Sequence, residues 1–438
     1  MYGDNALYHY LSLNFFFSPS HATHRSNIGN AKLGGLLTDL HMSSHDYSWA
    51  LSIFYFGYVI FDIPSNIVMR RWRPSIWLGM LMFTWGVVAT CMSLAKNAAT
   101  IMALRFLMGV FEAEYGQRAG FFWSCGSLAG AFGGLIAYGI THIPTDTLHT
   151  WQWLFIIEGL PSVVLAAFSA WYLPNNPETA KFLTDAEREK EVRRLAKDQG
   201  AANDHTWSWS LAASVFLDWK TYMYMFIYIT GTSALQGVTL FLPSIVKEMG
   251  SWDSAISQLL TTPPYFAAFF ATIGLSYSSD RFFDRCYHMV GVNIFGLAGF
   301  LMLMFVPHEQ VGVHYFAAIL VTVAVYANVS VKVAWFNNNF AGLTRRALAS
   351  AAIVSVGTVG GAIGGQIYYD PPLYFGGNTI AFACLAAQTV ADLVCRFLLA
   401  RENKRRENLR PEERELEIAK YGGEENAGDR HPDFRYVL

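Results

Sequence analysis

The sequence predicts an all-α membrane protein in which two helical bundles together hold 11 to 12 transmembrane helices, the first irregular and the fourth truncated. Three observations support this class. Of the 438 residues, 53% are apolar and only 15% are charged, a balance that is typical of chains embedded in lipid. Apolar runs long enough to cross a hydrocarbon core recur along the chain. A glycine-rich segment also occurs twice, once in each half.

The first strong span sets the orientation of the chain. Ala50–Met69 carries one charged group, Asp62, and as a helix its length matches a hydrocarbon core of roughly 30 Å. Arg70, Arg71 and Arg73 follow the span directly. Because Lys and Arg collect on the cytoplasmic side of membrane proteins, the C-terminal end of this span is predicted to lie inside.

Ten more apolar runs follow the first span and complete eleven candidate crossings. They are Ile76–Leu94, Ala98–Ala113, Gly120–Ile140, Trp153–Leu173, Tyr222–Ile245, Leu259–Ser278, Met289–Val306, Tyr315–Trp335, Ala347–Tyr368 and Ile380–Ala400. If they cross in turn, the outer loops hold only Lys96 and Lys247, whereas the inner loops hold clusters of basic residues. This one-sided distribution supports the count and predicts a cytoplasmic C-terminus.

A cytoplasmic N-terminus requires one further crossing before Ala50. Leu7–Phe17 and Ile28–Leu37 are apolar, but a polar segment that ends at Arg25 separates them. We predict a twelfth, broken helix in this region. The alternative is an interfacial segment that never crosses the membrane.

The glycine-rich repeat relates the two halves. Small residues four apart allow transmembrane backbones to approach closely, so packing alone is one explanation of the repeat. We favour common ancestry of two six-helix halves. The matching pairs are Gly126/Gly357, Gly130/Gly361, Ala131/Ala362, Gly133/Gly364, Gly134/Gly365, Ile136/Ile367 and Tyr138/Tyr369.

The repeat also indicates that the first half is shorter than the second. Arg71 precedes Gly126 by 55 residues, whereas Arg281 precedes Gly357 by 76. The difference between these two intervals indicates that about twenty residues are missing from the first half. The expected place is after the short run Ala98–Ala113, which predicts a truncated fourth helix.

The chain divides into four parts. Residues 1–173 form an N-terminal bundle, 174–220 a cytoplasmic linker, 221–400 a C-terminal bundle, and 401–438 a polar cytoplasmic tail that we expect to be partly disordered. In the linker, Thr184-Asp-Ala-Glu187 is a capping box that begins an amphipathic helix.

Ionisable groups inside the spans are the candidate functional residues of the first half, because such groups are costly in lipid. Arg105 and Glu112 are two helical turns apart and share one face, which must be turned away from lipid. The alternative is a structural ion pair with a neighbouring helix. Asp62 lies just before Pro64, which is expected to kink the helix. Two interpretations of Asp62 remain: a carboxyl that accepts a proton, or a hinge or helix-capping role.

The second half offers polar residues on two helices. Asn328 and Lys332 are one turn apart on one face, and Asn337 and Asn338 follow at the inner end of the same span. Lys332 is a candidate anion ligand, although we favour the alternative that it snorkels to the cytoplasmic surface. Gln366 is a candidate substrate contact or packing amide.

Several other functions are disfavoured. The sequence has no H-E-x-x-H or G-x-S-x-G motif and no phosphate-binding glycine loop, so we predict no enzymatic activity. The five cysteines have no C-x-x-C spacing, and we expect no metal. The net charge of -2 gives no reason to expect a nucleic-acid partner.

Seven blocks between residues 25 and 406 occur together: Arg25–Lys32, Gly57–Asn66, Arg105–Ala113, Trp153–Pro161, Phe241–Lys247, Pro263–Tyr265 and Asn338–Gly342. Their combination resembles the major facilitator superfamily, and within it the fungal allantoate permease branch of anion:cation symporters. The resemblance implies a major-facilitator-like fold and proton-coupled uptake of a small organic anion such as allantoate, nicotinate or pantothenate. It further implies a monomer in the plasma membrane that uses the proton gradient and no cofactor.

The resemblance also assigns roles by position. Arg105 and Glu112 match a fourth-helix motif associated with proton coupling, to which we add Asp62. Asp280, Arg281 and Arg285 resemble a cytoplasmic gating motif. Asn27 and Asn30 match a first-helix motif beside the cavity. With the polar residues introduced above, the substrate-binding candidates are Asn27, Asn30, Arg105, Lys332, Asn337, Asn338 and Gln366.

Two departures from the family pattern accompany these matches. Residues that complete the fourth helix are missing after Ala113, and His24-Arg25 stands where the family has an apolar run ending in Asp-Arg. The alternative function is therefore a non-transporting sensor, a defective paralogue or a truncated gene model of the same family.

Overall fold

The computed structural model describes residues 27–71, 74–112, 120–143, 147–172, 184–190, 209–250, 252–371, 374–420 and 428–438. Within these residues all regular secondary structure is helical. Eight of the described helices are long and apolar enough to cross a membrane, and the apolar stretch Gly126–Ile140 is shorter. The prediction of an all-α membrane protein is confirmed.

The first half begins with a broken helix. The chain turns at Gly34 and Gly35, and Gly35 has a φ of 97°, which glycine adopts without strain. The predicted irregularity is therefore present, whereas the question of whether residues 1–24 cross the membrane lies outside the described residues. The helices of this half are α1 (27–33), α2 (Leu36–Asp39), α3 (Ser44–Arg71), α4 (Pro74–Met92), α5 (Ala98–Glu112), α6 (Gly120–Ile140) and α7 (Thr150–Tyr172).

The linker contains α8 (185–190) and α9 (Trp209–Phe216). The backbone N–H of Thr184 donates to Glu187 Oε2 at 3.0 Å, and the N–H of Glu187 donates to Thr184 Oγ1 at 3.4 Å. These reciprocal bonds confirm the capping box. Residues 191–198 of the predicted linker helix lie outside the described residues.

The second half repeats the pattern of long helices. Its first helix is capped by Asp218, whose carboxylate accepts from the N–H of Lys220. The helices are α10 (Trp219–Met249), α11 (Ser254–Leu260), α12 (Thr262–Phe282), α13 (Cys286–Phe305), α14 (Val311–Asn338), α15 (Leu343–Gly364), α16 (Phe375–Glu407) and α17 (Pro411–Lys420), with a final 3-10 turn at Gly428–Arg430.

Equivalent helices of the two halves make equivalent contacts. Helix α3 packs on α5 and α4 on α7, as α12 packs on α14 and α13 on α16. Between the halves, α3 contacts α15 and α12 contacts α6. The two glycine-rich segments lie in α6 and α15, so exchange of the halves reproduces the same pairing. This reciprocity is expected of bundles related by an approximate twofold axis.

Two hydrogen bonds show the same exchange at the level of single atoms. Ser52 Oγ in α3 donates to the carbonyl of Ala362 in α15 at 2.8 Å. Thr262 Oγ1 in α12 donates to the carbonyl of Ala131 in α6 at 3.3 Å. Because Ala131 and Ala362 are matching positions of the repeat, the sequence repeat and the inter-half contacts have one structural origin.

The repeated glycines permit close contact with aromatic rings. A Cβ built on Gly130 would meet the ring of Tyr265, and a Cβ built on Gly361 would meet the ring of Tyr55. Both tyrosines are buried. A glycine is therefore required at each matching position so that the two halves can touch.

The described part of the fourth helix is shorter than its counterpart in the second half. Helix α5 is described over 15 residues, up to Glu112, whereas α14 has 28. Residues 113–119, where the missing length is expected, lie outside the described residues, so the truncation of this helix stays a prediction.

Basic residues gather at one end of the second bundle, which we call the basic end: Lys220, Arg285, Arg345 and Arg406. The last residues of the chain pack here. Lys220 Nζ lies 2.5 Å from Asp429 Oδ2, and Arg345 Nη1 lies 3.1 Å from Asp429 Oδ1. Within the tail that composition predicts to be partly disordered, these buried ion pairs hold the segment around Asp429 against the bundle.

Replacement of Asp429 with asparagine is expected to lower the free energy of unfolding. The buried cations Lys220 and Arg345 would each lose a carboxylate partner, although Asp218 remains 3.5 Å from one and 2.6 Å from the other. Removal of one partner of a buried pair costs about 3–5 kcal/mol, and we expect the lower end. The melting temperature of the detergent-solubilised chain, followed by tryptophan fluorescence, measures the effect. Asp433→Asn at an exposed site is the control, and equal melting temperatures would contradict the expectation.

Candidate functional site

Helix α5 brings a cation and a carboxyl into the interior of the first bundle. Arg105 and Glu112 are 0% and 1% exposed, so neither faces lipid. Arg105 Nε donates to the carbonyl of Ala50 in α3 at 3.3 Å, and its guanidinium lies 4.9 Å from the ring centroid of Phe54. The spacing of two turns therefore places both groups on the buried face, as the sequence predicted.

Two asparagines of α1 lie near the second half. Asn27 and Asn30 are buried, and Asn30 Nδ2 donates to Asn27 Oδ1 at 3.4 Å. Gln258 of α11 donates to the carbonyl of Asn30 at 3.3 Å. Asn27 Nδ2 and Asn30 Oδ1 make no hydrogen bond within the described part of the chain. The pair thus retains one donor and one acceptor for a ligand.

Asp62 and Gln366 lie where α3 meets the second half. Asp62 is 1% exposed, and its carboxylate accepts from Ser355 Oγ of α15. Gln366 Nε2 donates to Ser52 Oγ at 2.9 Å. Both side chains join the halves, so the amide of Gln366 has the geometry of the packing alternative.

Lys332 does not reach the surface. It is 2% exposed, and its ammonium stands 4.8 Å from the ring centroid of Tyr228 in α10. The snorkelling interpretation is wrong because α14 packs against α10, α12 and α13, which cover this face of the helix. Gly231 allows the ammonium to approach α10 closely, since a Cβ there would meet both Lys332 Nζ and Gln388 Oε1.

Polar side chains from three helices surround Lys332, and we call them, with Lys332, the C-terminal polar cluster: Asn293, Asn328, Lys332, Gln388 and Asp392. Asn328 Nδ2 donates to Asn293 Oδ1 at 2.5 Å, and Gln388 Nε2 donates to Asn328 Oδ1 at 3.0 Å. The bonds form a chain of amides across α13, α14 and α16. The cluster is therefore a built polar site inside an apolar bundle.

Sequence reasoning missed Asp392. Its side chain is 0% exposed, and Gln388 Nε2 lies 3.5 Å from its Oδ2. Its Oδ1 makes no hydrogen bond to any described residue. The available signal was a lone carboxylate inside the apolar run Ile380–Ala400, the same kind of signal that identified Asp62.

The asparagines at the end of α14 do not join this cluster. Asn337 Nδ2 donates to the carbonyl of Val333 at 2.9 Å, and Asn338 is exposed. Their neighbour Asn339 is buried and accepts from the N–H of Val437 at 2.8 Å, which anchors the tail. The structure thus places this asparagine run at the basic end.

The three gating candidates also lie at the basic end. Arg285 Nη1 is 2.6 Å from Asp280 Oδ1, whereas Arg281 is exposed. The backbone N–H of Arg285 donates to the carbonyl of Leu438 at 2.6 Å. Asp280 and Arg285 are therefore brought together beside the last residue of the chain.

Each half thus has a buried cation on corresponding helices among the described residues: Arg105 on α5 and Lys332 on α14. Among the described residues, no group of three His, Cys, Asp or Glu side chains is arranged to hold a metal ion. An arrangement of buried amides, cations and carboxyls is suited to binding a small polar ligand and a proton.

Known proteins resemble this chain in sequence and in fold. Residues 20–365 match the family model described as Major Facilitator Superfamily. The chain is 35% identical over 369 residues to the MFS transporter prlL of a fungal species, which covers 79% of this chain and 74% of that protein. It is 28% identical to the high-affinity nicotinic acid transporter of Saccharomyces cerevisiae, over 94% of this chain and 80% of that protein. The solved D-xylose-proton symporter matches with a TM-score of 0.63 at 13% identity, over 87% of this chain and 96% of that one, which shows a shared fold.

Proposed function

The chain belongs to the major facilitator superfamily, a family of transporters rather than enzymes, and from this premise we propose that it takes up a small organic anion together with a proton. It is a multi-pass membrane protein. Its two halves alternate between states that open to opposite sides of the membrane, as in other transporters built from repeats.

The observation that carries this proposal is the buried ammonium of Lys332. Its aromatic neighbour is Tyr228, and Asp392 of the same cluster acts on it electrostatically. A charged residue at the centre of a membrane helix costs about 2.5–3.5 kcal/mol on insertion scales and marks function by default. A bound anion would pair directly with this ammonium. Arg105 provides a second buried cation in the other half.

A carboxylate is the substrate class that fits these cations. The similarity to a nicotinic acid transporter supports a carboxylate of about that size, and allantoate and pantothenate are further candidates from the resemblance to the allantoate permease branch. The amides of Asn27 and Asn30 add hydrogen-bonding groups that are not used within the described chain. We propose no cofactor, because the proton gradient supplies the energy.

Proton coupling requires a carboxyl that is shielded from lipid. Asp62 and Glu112 are both 1% exposed and lie in the first half. Asp62 touches α15 through Ser355, so its protonation state is linked to contact between the halves. We propose a monomer in the plasma membrane with both termini in the cytoplasm, because the basic end then lies on the side where Lys and Arg collect.

Uptake into proteoliposomes tests this function. The full chain is reconstituted, and labelled nicotinate, allantoate and pantothenate are added with and without a pH gradient. At least one anion is expected to accumulate only with the gradient and to be released by a protonophore. Gradient-independent uptake would remove the coupling, and no uptake of any probe would refute the proposed substrate class.

A second candidate function is a non-transporting sensor, which the short first half of the sequence favours. The interval from Arg71 to Gly126 is about twenty residues shorter than the interval from Arg281 to Gly357 in the second half. A sensor would bind a labelled anion without accumulating it under any gradient. Binding combined with absent counterflow distinguishes this candidate from a symporter.

Replacement of Gly231 with alanine is expected to raise the KM for the transported anion. The added Cβ would meet Lys332 Nζ and Gln388 Oε1 and would displace the ammonium from its place. We expect about a tenfold increase, which corresponds to a loss of ~1.4 kcal/mol in binding. Uptake rates against anion concentration measure it. Gly291→Ala, where an added Cβ meets nothing within 4 Å, is the matched control, and an unchanged KM in the Gly231 variant would argue against an anion at Lys332.

A further inference from the structure

Asp392 and Lys332 share one buried cluster without forming a direct ion pair. Their side chains are 0% and 2% exposed. Each charge acts electrostatically on the other. Gln388 Nε2 lies 3.5 Å from Asp392 Oδ2, while Gln388 Oε1 and Lys332 Nζ both border Gly231. The buried cation and the buried carboxyl therefore lie in one cluster on either side of the same amide.

The groups around Lys332 and Asp392 are few. From α14 only Lys332 acts on Asp392, and from α10 the neighbours of the cluster are Tyr228 and Gly231. From α13 Cys286 faces the backbone of Asp392, to whose carbonyl its thiol donates at 3.3 Å. On α16 itself the nearby titratable groups are Cys395 and Arg396.

Arg396 does not compensate Asp392. Its Nη1 lies 2.6 Å from Asp284 Oδ2, so its charge is already matched by a carboxylate. The two cysteines are neutral in their ordinary thiol form. Among the described residues, no third charged group of the cluster consequently matches Lys332 or Asp392. Their own two charges sum to zero when no ligand is bound.

A carboxylate that enters this cluster changes the balance. It pairs with Lys332 but adds a negative charge near Asp392, and like charges in a buried site repel strongly because the effective dielectric constant is low. A proton on Asp392 restores neutrality. Its Oδ1, which no described residue bonds, offers a place for that proton.

We propose that the C-terminal polar cluster is the site where anion and proton bind together, with the substrate carboxylate on Lys332 and the accompanying proton on Asp392. This inference rests on the proposed function and assigns the coupling to Asp392, ahead of Asp62 and Glu112. One proton adds to one carboxylate oxygen of Asp392 as one anion binds, and both leave together on the other side of the membrane. A monocarboxylate is therefore carried with one proton and without net charge.

Asp392→Asn separates the two roles, because asparagine has the shape of a protonated aspartate and cannot release a proton. The full chain is reconstituted, and labelled nicotinate is the probe. For the wild type, a gradient of about one pH unit is expected to drive about tenfold accumulation, the equivalent of 1.36 kcal/mol. The variant is expected to keep counterflow, in which labelled anion exchanges for unlabelled anion, but to lose accumulation. A pH-sensitive dye is expected to report proton uptake on binding for the wild type only.

Two further variants complete the design. Lys332→Gln is expected to lose both counterflow and accumulation, since the anion loses its cation. Glu309→Gln removes an exposed carboxylate from the same half and is expected to retain both. If Asp392→Asn does not reach the membrane, Asp392→Glu replaces it, with a shifted pH dependence of accumulation and intact counterflow as the expected result.

The possible failures are distinguishable. Accumulation by Asp392→Asn equal to that of the wild type would overturn the assignment of the proton to Asp392. Loss of counterflow together with accumulation, in a folded Asp392→Asn, would also overturn it, as would an unchanged pH profile of Asp392→Glu. A wild-type chain that shows no uptake of nicotinate, allantoate or pantothenate would instead refute the proposed function itself.

Discussion

Replacement of Arg105 with glutamine is expected to abolish gradient-driven uptake while the protein remains folded. Arg105 is fully buried, and its guanidinium both donates to the carbonyl of Ala50 and stands against the ring of Phe54. Glutamine retains a hydrogen-bond donor but removes the charge that attracts an anion into the first bundle. We expect the uptake rate to fall by about 100-fold or more, as when a positioned catalytic or binding group is lost.

The lysine variant separates charge from geometry. Arg105→Lys keeps the positive charge but lacks the planar fork of donors, so we expect about a tenfold loss rather than a complete one. Initial rates are normalised to the amount of folded protein from size-exclusion chromatography. Arg401→Gln, at an exposed position of α16, is the control for a changed positive charge. Uptake by Arg105→Gln at the wild-type rate would remove Arg105 from the transport site.

Helix positions were the part of the fold that the sequence predicted best. The run Gly120–Ile140 coincides with α6, and each of the other predicted spans overlaps a helix. Such runs are readable because lipid demands continuous apolar segments with all backbone groups bonded internally. The glycine repeat likewise predicted the reciprocal contacts of α6 and α15, since small residues mark the places where backbones approach.

The candidate site was less predictable, because burial depends on helix rotation and on neighbours far away in sequence. Lys332 is about one turn from the basic end of its helix, and this short distance favoured the snorkelling interpretation. In the structure α10 and α13 cover the side chain, so it stays buried. Asp392 becomes a candidate site residue only because it lies in the same cluster as Lys332, which is 60 residues earlier in the sequence. The packed tail is a similar case, because Asp429 is unremarkable in a polar sequence until Lys220 and Arg345 enclose it.

Enlargement of Gly361 to leucine is expected to block uptake by holding the two halves apart. A side chain at this position would meet the ring of Tyr55, which is 1% exposed in the contact between α15 and α3. Extra atoms in a well-packed contact force the backbones to shift, at a cost of about 1–3 kcal/mol. Because alternating access requires this contact to form and separate in each cycle, a bias against one state slows every turnover.

Two measurements check this expectation. The uptake rate is expected to fall by roughly 5- to 150-fold, the factor that 1–3 kcal/mol gives. A cysteine placed at Ser52, which now donates to the carbonyl of Ala362, is expected to react faster with a membrane-impermeant maleimide when Gly361 is leucine. Gly139→Leu in α6, where an added Cβ meets nothing within 4 Å, is the control for added bulk.

The variant Gly130→Leu tests whether the α6–α12 contact and the α3–α15 contact close together. Gly130 matches Gly361 in the repeat and packs against Tyr265 as Gly361 packs against Tyr55. If the two contacts belong to one symmetric closure, Gly130→Leu is expected to slow uptake to a similar extent as Gly361→Leu. The double variant is then expected to be little slower than either single variant, since each substitution already prevents the same closed state. Additive losses in the double variant would instead show that the two contacts act independently. Normal uptake by Gly130→Leu would show that only the α3–α15 contact takes part in the cycle.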